Sequence, residues 1–175
     1  MPQGDIRAKQ QCLSRCRWVS GFDFAAGFYA VLVEPESRPY TAFYVEGRGY
    51  FWYKRMPFGL TGAPSTFTNM TAKHMHNLLA DETMELFVDD GGAAANTFEE
   101  MMDELTRVFN RIHKKGLSLS ASKWEIFMTE MVFAGATVGP KGVQPNLKKL
   151  TAIVNWKILE NTTALAGFLG LTKWF

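Results

Sequence analysis

The chain has 175 residues, and its 19 Lys and Arg against 17 Asp and Glu give a formal net charge of +2, which excludes a strongly basic nucleic-acid footprint over its whole length. Its hydrophobic fraction of 47% and charged fraction of 21% are typical of a globular protein with its own core. No apolar run approaches the roughly 20 residues of a membrane span, and Cys12 and Cys16 lack a second Cys or His pair at zinc-finger spacing, so we expect an intracellular protein with free thiols and no membrane partner.

The N-terminal part of the chain predicts a helix, a short buried strand and an aromatic hairpin. The helix covers 5–17 and the strand 18–24, where Asp23 lies among apolar neighbours. An unpaired carboxylate there is costly, so Asp23 is a candidate metal ligand, with a helix or turn cap as the alternative. The hairpin covers 41–53 around a turn at 46–49. Its aromatic residues suit a core or a surface on which bases stack, and the core is the commoner use.

A loop rich in glycine and proline leads into a helix expected from Pro64 to Leu79, because proline is favoured in the first turn. The segment Glu85–Gly92 then places the adjacent acids Asp89 and Asp90 between an apolar run and two glycines. Neighbouring carboxylates repel each other, so a cation is expected nearby. A strand ending in a tight Asp-Gly turn would hold both acids at a rim that suits Mg2+. Alternatively this is an ordinary hairpin turn, and the residues alone are more typical of that.

The second half of the chain opens with Thr97-Phe98-Glu99-Glu100, a capping box that begins a helix ending at Gly116. Strands are expected at 117–119 and 131–138, with Lys123 between them, and helices at 147–156 and 163–175. Strands and helices alternate without a strict βαβ repeat, which favours an α+β fold with helices packed on one face of an antiparallel sheet. No linker divides the chain, so we expect a single domain over 1–175.

Five short motifs follow one another in a fixed order. They are Phe22-Asp23-Phe24-Ala25-Ala26-Gly27-Phe28, then Met56-Pro57-Phe58-Gly59-Leu60 with Ala63-Pro64-Ser65-Thr66-Phe67, then Phe87-Val88-Asp89-Asp90, then Gly116-Leu117 with Ser122-Lys123, and then Val132-Phe133-Ala134-Gly135. In this order they closely resemble the palm of reverse transcriptases from long-terminal-repeat retrotransposons of the gypsy type. The resemblance covers nearly the whole chain from about residue 4.

The resemblance implies the right-hand palm of an RNA-directed DNA polymerase that adds nucleotides to a primer 3′-hydroxyl. Asp23 and Asp89 would bind two Mg2+ ions, for which Mn2+ is a substitute, and Asp90 would be the third carboxylate. Two metals can activate an attacking oxygen and stabilise the leaving one. The implied partners are an RNA or DNA template with its primer, deoxynucleoside triphosphates and the remainder of a polyprotein.

The resemblance also implies roles for residues outside the acids. Phe24, Phe28, Phe58 and Gly59 would bind the nucleotide, and Phe28 would crowd a 2′-hydroxyl. Lys123 would protonate the departing pyrophosphate. The primer end would be gripped by Phe133, Ala134 and Gly135. Considered singly, Lys123 and Phe133 are more typical of structural positions.

Two departures from the family pattern raise an alternative. The strand after the acids is usually apolar and β-branched in the family, whereas Gly91–Ala95 is poor strand material that should loosen the hairpin. Few residues precede Asp23, so fingers are expected to be truncated, and fingertips, thumb and RNase H to be absent. The alternative is a catalytically inert or co-opted module that binds nucleic acid or a protein partner. Apolar palm surface left exposed would also favour self-association.

Overall fold

A computed structural model describes residues 5–25, 27–156 and 158–172, without the side chains of Lys148, Lys149 and Leu171. Ala26 of the first motif and positions 173–175 of the last predicted helix lie outside the described residues. The elements in chain order are α1 (Ile6–Cys12), β1 (Trp18–Asp23), 3₁₀ turns at Gly27–Ala30 and Pro35–Thr41, β2 (Phe43–Val45), β3 (Gly49–Phe51), α2 (Ala63–Ala80), β4 (Glu85–Phe87), β5 (Asp90–Ala95), α3 (Phe98–Lys114), a 3₁₀ turn at Ala121–Lys123, β6 (Glu125–Met128), β7 (Met131–Phe133), β8 (Ala136–Gly139), β9 (Gly142–Pro145), α4 (Leu147–Val154) and α5 (Thr162–Thr172).

The central layer is a four-stranded antiparallel sheet with the order β4-β5-β1-β6. Strand β1 pairs with β5 from Trp18 opposite Ala95 to Asp23 opposite Asp90. Strand β4 pairs with the other edge of β5, and Phe87 lies opposite Asp90. This register brings the acidic end of β1 beside the acidic start of β5.

The two faces of the sheet carry different layers. Helices α2 and α3 cover one face, where Phe22 and Leu86 pack with Phe67, Met75 and Val108. This confirms the predicted α+β fold with its long helices on one face. The opposite face packs against α1 and a small sheet, β7-β8-β9, through a core formed by Leu13, Val19, Met131, Phe133, Ala134 and Val138. Because side chains alternate along a strand, Asp23 lies on the same face as Val19.

The prediction that Gly91–Ala95 would form a weak strand is wrong. These residues belong to β5, which is hydrogen-bonded on both edges and mostly buried. A Cβ atom at Gly91 would lie 2.1 Å from Cε2 of Phe22, and one at Gly92 would lie 2.7 Å from Cδ1 of Leu13. Small residues are therefore required here, since large side chains from both layers close onto the backbone of β5.

Several predicted elements differ in extent from the structure. The helix expected over 5–17 ends at Cys12, and Arg15 with φ 70° redirects the chain into β1. The strand expected over 131–138 is instead the hairpin of β7 and β8, which turns at Ala134 and Gly135. Segment 117–119 contributes an isolated bridge between Phe24 and Leu119 rather than a strand. Strands β6 and β9 were not predicted, since they are short and lack clear alternation.

The other predicted elements are confirmed. Helix α2 begins at Ala63 with Pro64 in its first turn, and α3 has the Thr97–Glu100 capping box with both of its hydrogen bonds. The hairpin of β2 and β3 forms as expected, but its aromatic side chains are exposed and do not build a core.

Cys12 and Cys16 are free thiols. Across the described ranges, no helix combines the length and apolar character needed to cross a membrane.

Candidate active site and metal centre

Three carboxylates converge at one end of the central sheet. Asp23 ends β1, Asp89 lies in the turn between β4 and β5, and Asp90 begins β5. One oxygen from each can be chosen so that all three atoms lie within 4.8 Å of one another. The pairing of Asp23 with Asp90 across the strands produces this cluster from residues that are far apart in sequence.

The turn that carries Asp89 differs from the predicted Asp-Gly turn. Phe87 pairs with Asp90, so the turn consists of Val88 and Asp89, two positions before the expected Asp90-Gly91. Val88 has φ 57°, a left-handed conformation that is unusual for a β-branched residue. Such strain persists only where surrounding contacts enforce it. One such contact is the backbone N–H of Phe24, which donates to the carbonyl of Asp89 at 3.2 Å and ties the turn to the end of β1.

The electrostatics of the cluster favour a bound cation. Burial, followed by the charges of Asp89 and Asp23, raises the pKa of Asp90 to about 6. Lys123 Nζ donates to Oδ2 of Asp23 at 2.7 Å, and this carboxylate raises the pKa of the Lys123 ammonium. The Lys123 side chain is 64% exposed, against 14% for Asp23. A single ammonium cannot balance three carboxylates, so the donor set suits a hard divalent ion.

A cleft of about 390 Å³ opens beside the carboxylates and is lined by Asp23, Asp89, Lys123, Phe28, Phe58 and Phe67, among others. The ring of Phe28 packs between those of Phe58 and Phe67, at centroid distances of 5.1 and 5.7 Å. Phe28 and Phe58 thus form an apolar wall opposite the charged groups. Ser120, which also lines the cleft, was not predicted; its N–H donates to the carbonyl of Asp23.

Two of the predicted nucleotide-binding residues, Phe24 and Gly59, do not present a side chain to the cleft. Phe24 borders the cleft, but its ring is only 4% exposed and packs on Phe67, so it contributes mainly to the core. Gly59 has φ 94° and open space around its Cα, which lets the loop turn sharply after Phe58. Of these candidates, Phe28 and Phe58 present their rings to the cleft.

The predicted primer grip is the turn of the β7–β8 hairpin. The side chains of Phe133 and Ala134 are buried in the core that the central sheet shares with α1 and the β7-β8-β9 sheet, and contact of this turn with a primer end stays a prediction. The main chain of Ala134 lies close enough to the Asp90 carboxylate to lower its pKa. Gly135, with φ 81°, completes the turn.

Sequence reasoning missed Gln10, a buried side chain of α1. Its amide Nε2 donates to the carbonyls of Phe133 and Ala134, at 3.3 and 3.2 Å. The available signal was its position, four residues after Ile6 and three before Leu13, on the apolar side of the predicted helix. A polar residue on that stripe needs a hydrogen-bond partner in the core.

The chain is similar in sequence and in fold to known proteins. A family profile described as reverse transcriptase (RNA-dependent DNA polymerase) matches residues 2–158. The Pol polyprotein from transposon 297 of Drosophila melanogaster is 32% identical over 163 residues, which cover 93% of this chain and 15% of that polyprotein. Polyprotein P3 of Commelina yellow mottle virus is 33% identical over 166 residues, covering 93% of this chain and 8% of the relative.

A structure of the foamy viral protease-reverse transcriptase in complex with double-stranded DNA has a similar fold, with a TM-score of 0.86 at 24% identity. The match covers 95% of this chain and 29% of that one. The chain therefore spans only a small part of the relatives and of the solved structure that it matches.

Proposed function

This chain belongs to the reverse transcriptase family, and from that premise we propose that it is the polymerase palm of a gypsy-type long-terminal-repeat retrotransposon. The transposon relatives and the order of the five motifs support this subfamily. The palm occupies 1–175 as one domain and acts with the remainder of a polyprotein. The small share of its relatives that it spans supports that context.

The observation that carries the proposal is the convergence of Asp23, Asp89 and Asp90 beside an open cleft. Asp23 and Asp89 hold two Mg2+ ions, and Asp90 is the third carboxylate. Mg2+ prefers such hard oxygen ligands, and Mn2+ can replace it. When bound, the metals would lower the pKa of the primer 3′-hydroxyl and stabilise the leaving oxygen of the triphosphate.

The chain's own residues orient the substrates. The cleft takes a deoxynucleoside triphosphate opposite an RNA or DNA template, with Phe28 and Phe58 against its sugar and base. The Phe28 ring, which packs on the rings of Phe58 and Phe67, crowds a 2′-hydroxyl and so favours deoxynucleotides. Lys123 Nζ carries the proton that passes to pyrophosphate, and the Asp23 contact keeps this group charged. The Ala134–Gly135 backbone supports the primer end.

Primer extension on an RNA template with Mg2+ tests the proposal. Asp89→Ala should reduce nucleotide addition by about 1,000-fold or more, because a metal ligand stabilises charge in the transition state. Asp103→Ala, which removes an exposed carboxylate from α3, is the matched control and should retain activity. Product formation that survives Asp89→Ala would exclude the metal role of this residue.

A second candidate is a co-opted module that binds nucleic acid, or a protein partner, without turnover. The exposed rings of Tyr44, Tyr50 and Trp52 on the β2–β3 hairpin favour it, since bases stack on such surfaces. Salt-sensitive binding to an RNA–DNA hybrid in the absence of extension would support this function. The same exposed rings favour self-association, which light scattering at high protein concentration would detect; a monomer under those conditions would count against it.

A further inference from the structure

We propose that Gln10 is a positioning residue that holds the β7–β8 turn against Asp90 and thereby sets the geometry of the carboxylate cluster. This inference rests on the proposed metal-binding function of the three acids. It assigns a functional contribution to α1, which contains none of the five motifs.

The turn that Gln10 contacts does not form readily by itself. Phe133 pairs with Ala136, so Ala134 and Gly135 are the two turn residues, and both have positive φ, 47° and 81°. This is the pattern of a type I′ turn, which favours Asn or Gly at its first position. Alanine rarely adopts this conformation, because its Cβ approaches the following carbonyl oxygen. Contacts from elsewhere in the fold must therefore stabilise the turn.

Gln10 provides such contacts. Its side-chain amide has two N–H groups, and Nε2 lies within hydrogen-bonding distance of the carbonyl oxygens of Phe133 and Ala134. Gln10 is only 6% exposed, so water has little access to replace these bonds. Its amide thus holds the carbonyl before the turn and the first carbonyl within it.

Helix α1 is itself anchored to the strand that leads to the acids. Lys9 Nζ forms a partly buried ion pair with Oε2 of Glu85 at 3.0 Å, and Glu85 is the first residue of β4. Adjacent residues of α1 therefore contact both sides of the site. Lys9 binds the strand that precedes Asp89, and Gln10 binds the turn that faces Asp90.

The path from Gln10 to the site is short. Gln10 holds the carbonyls of Phe133 and Ala134. The Phe133 ring packs against β5, where a Cβ atom at Gly92 would lie 3.4 Å from its Cδ2, and the main chain of Ala134 lies close enough to the Asp90 carboxylate to lower its pKa. Without the Gln10 amide, the turn can relax from its left-handed conformation, and its main chain is then no longer held beside Asp90 and β5. The ligand geometry becomes less uniform, and a cation at the cluster binds less tightly.

The test measures Mn2+ binding to the chain by electron paramagnetic resonance, without substrates. Gln10→Met retains length and apolar volume but has no donor, and it should weaken Mn2+ binding about three- to tenfold, the worth of one lost hydrogen bond. Gln11→Met makes the same change at the exposed neighbouring glutamine and should leave Mn2+ binding unchanged. Val108→Ala destabilises the opposite face of the sheet and should also leave it unchanged.

The outcomes are separable. Unchanged Mn2+ binding in folded Gln10→Met overturns the inference, as does an equal loss in Val108→Ala, which would indicate general destabilisation. If Gln10→Met does not fold, Gln10→Asn replaces it, because its amide is one methylene too short to reach the two carbonyls. Weaker Mn2+ binding is again expected, and unchanged Mn2+ binding in folded Gln10→Asn overturns the inference. If Asp89→Ala binds Mn2+ as tightly as the wild-type chain does, the proposed metal site is refuted. The inference about Gln10, which rests on that site, is then refuted as well.

Discussion

Replacing Gly91 with alanine would add one methyl group at a crowded point of β5, next to the Asp23–Asp90 pair. The new Cβ would lie 2.1, 2.6 and 2.7 Å from Cε2, Cζ and Cδ2 of Phe22. Ordinary carbon contacts are about 3.5–4.0 Å, so the ring or the strand must move. Gly91 adjoins Asp90 and lies opposite Phe22, which adjoins Asp23, so either movement reaches the carboxylates.

The cost follows from how tightly Phe22 is held. Its ring is 3% exposed and packs edge-to-face on Phe24 and Phe109, at centroid distances of 6.4 and 6.1 Å. Overpacking a core typically costs 1–3 kcal/mol, and displacing a ring held on two sides favours the upper end, about 3 kcal/mol. This is a large fraction of the roughly 5–15 kcal/mol that stabilises a domain. Nucleotide addition should fall as well.

Urea unfolding of the wild type, Gly91→Ala, Phe22→Leu and the double variant measures the effect as a double-mutant cycle. Leucine lacks the ring atoms that the new methyl would meet, so the double variant should be more stable than the sum of the single changes predicts, by about 1.5 kcal/mol or more. Gly170→Ala, which adds a methyl into open space in α5, is the control and should be neutral or stabilising. The reasoning would be refuted if the two single changes in unfolding free energy added to within about 0.5 kcal/mol. It would also be refuted if Gly91→Ala had the unfolding free energy of the wild type.

Lys123→Met removes the ammonium that contacts Asp23 and should slow the chemical step at least about 100-fold, whereas Lys123→Arg should slow it less. Single-turnover primer extension measures both rates, and an unaltered rate in Lys123→Met excludes proton transfer from Lys123. Phe28→Ala opens the wall of the cleft and should raise the ratio of ribonucleotide to deoxynucleotide incorporation about tenfold or more. Parallel primer extensions measure this ratio, and an unchanged ratio would argue against the role of Phe28 in excluding a 2′-hydroxyl. Burial raises the pKa of Glu104 from 4.5 to about 7, and its Oε2 is buried without a partner. The folded state therefore binds this proton more tightly, and stability falls as the pH rises from 4.5 through 7. Glu104→Gln should raise the free energy of unfolding by about 1–2 kcal/mol at pH 8 and have little effect below pH 4.5, as followed by urea unfolding; a pH-independent effect would contradict this.

The sequence by itself determined the elements whose signals are local. The capping box at Thr97 and the apolar stripe of α3 predicted that helix almost to the residue, because caps and helical periodicity act within a few positions. Motif order was sufficient to select Asp23, Asp89 and Asp90 as a set, and the structure brings them together with Lys123.

The tertiary structure alone decided how those acids are held. Gly91 looks like poor strand material because β propensity reflects average neighbours, but its actual neighbour is the Phe22 ring, which excludes any side chain. The left-handed Val88 and the Gln10 amide on the Ala134 turn likewise depend on residues distant in the chain. Such contacts form only when β1, β5 and β7 are packed in their native register. That register cannot be inferred from the residues adjacent in sequence.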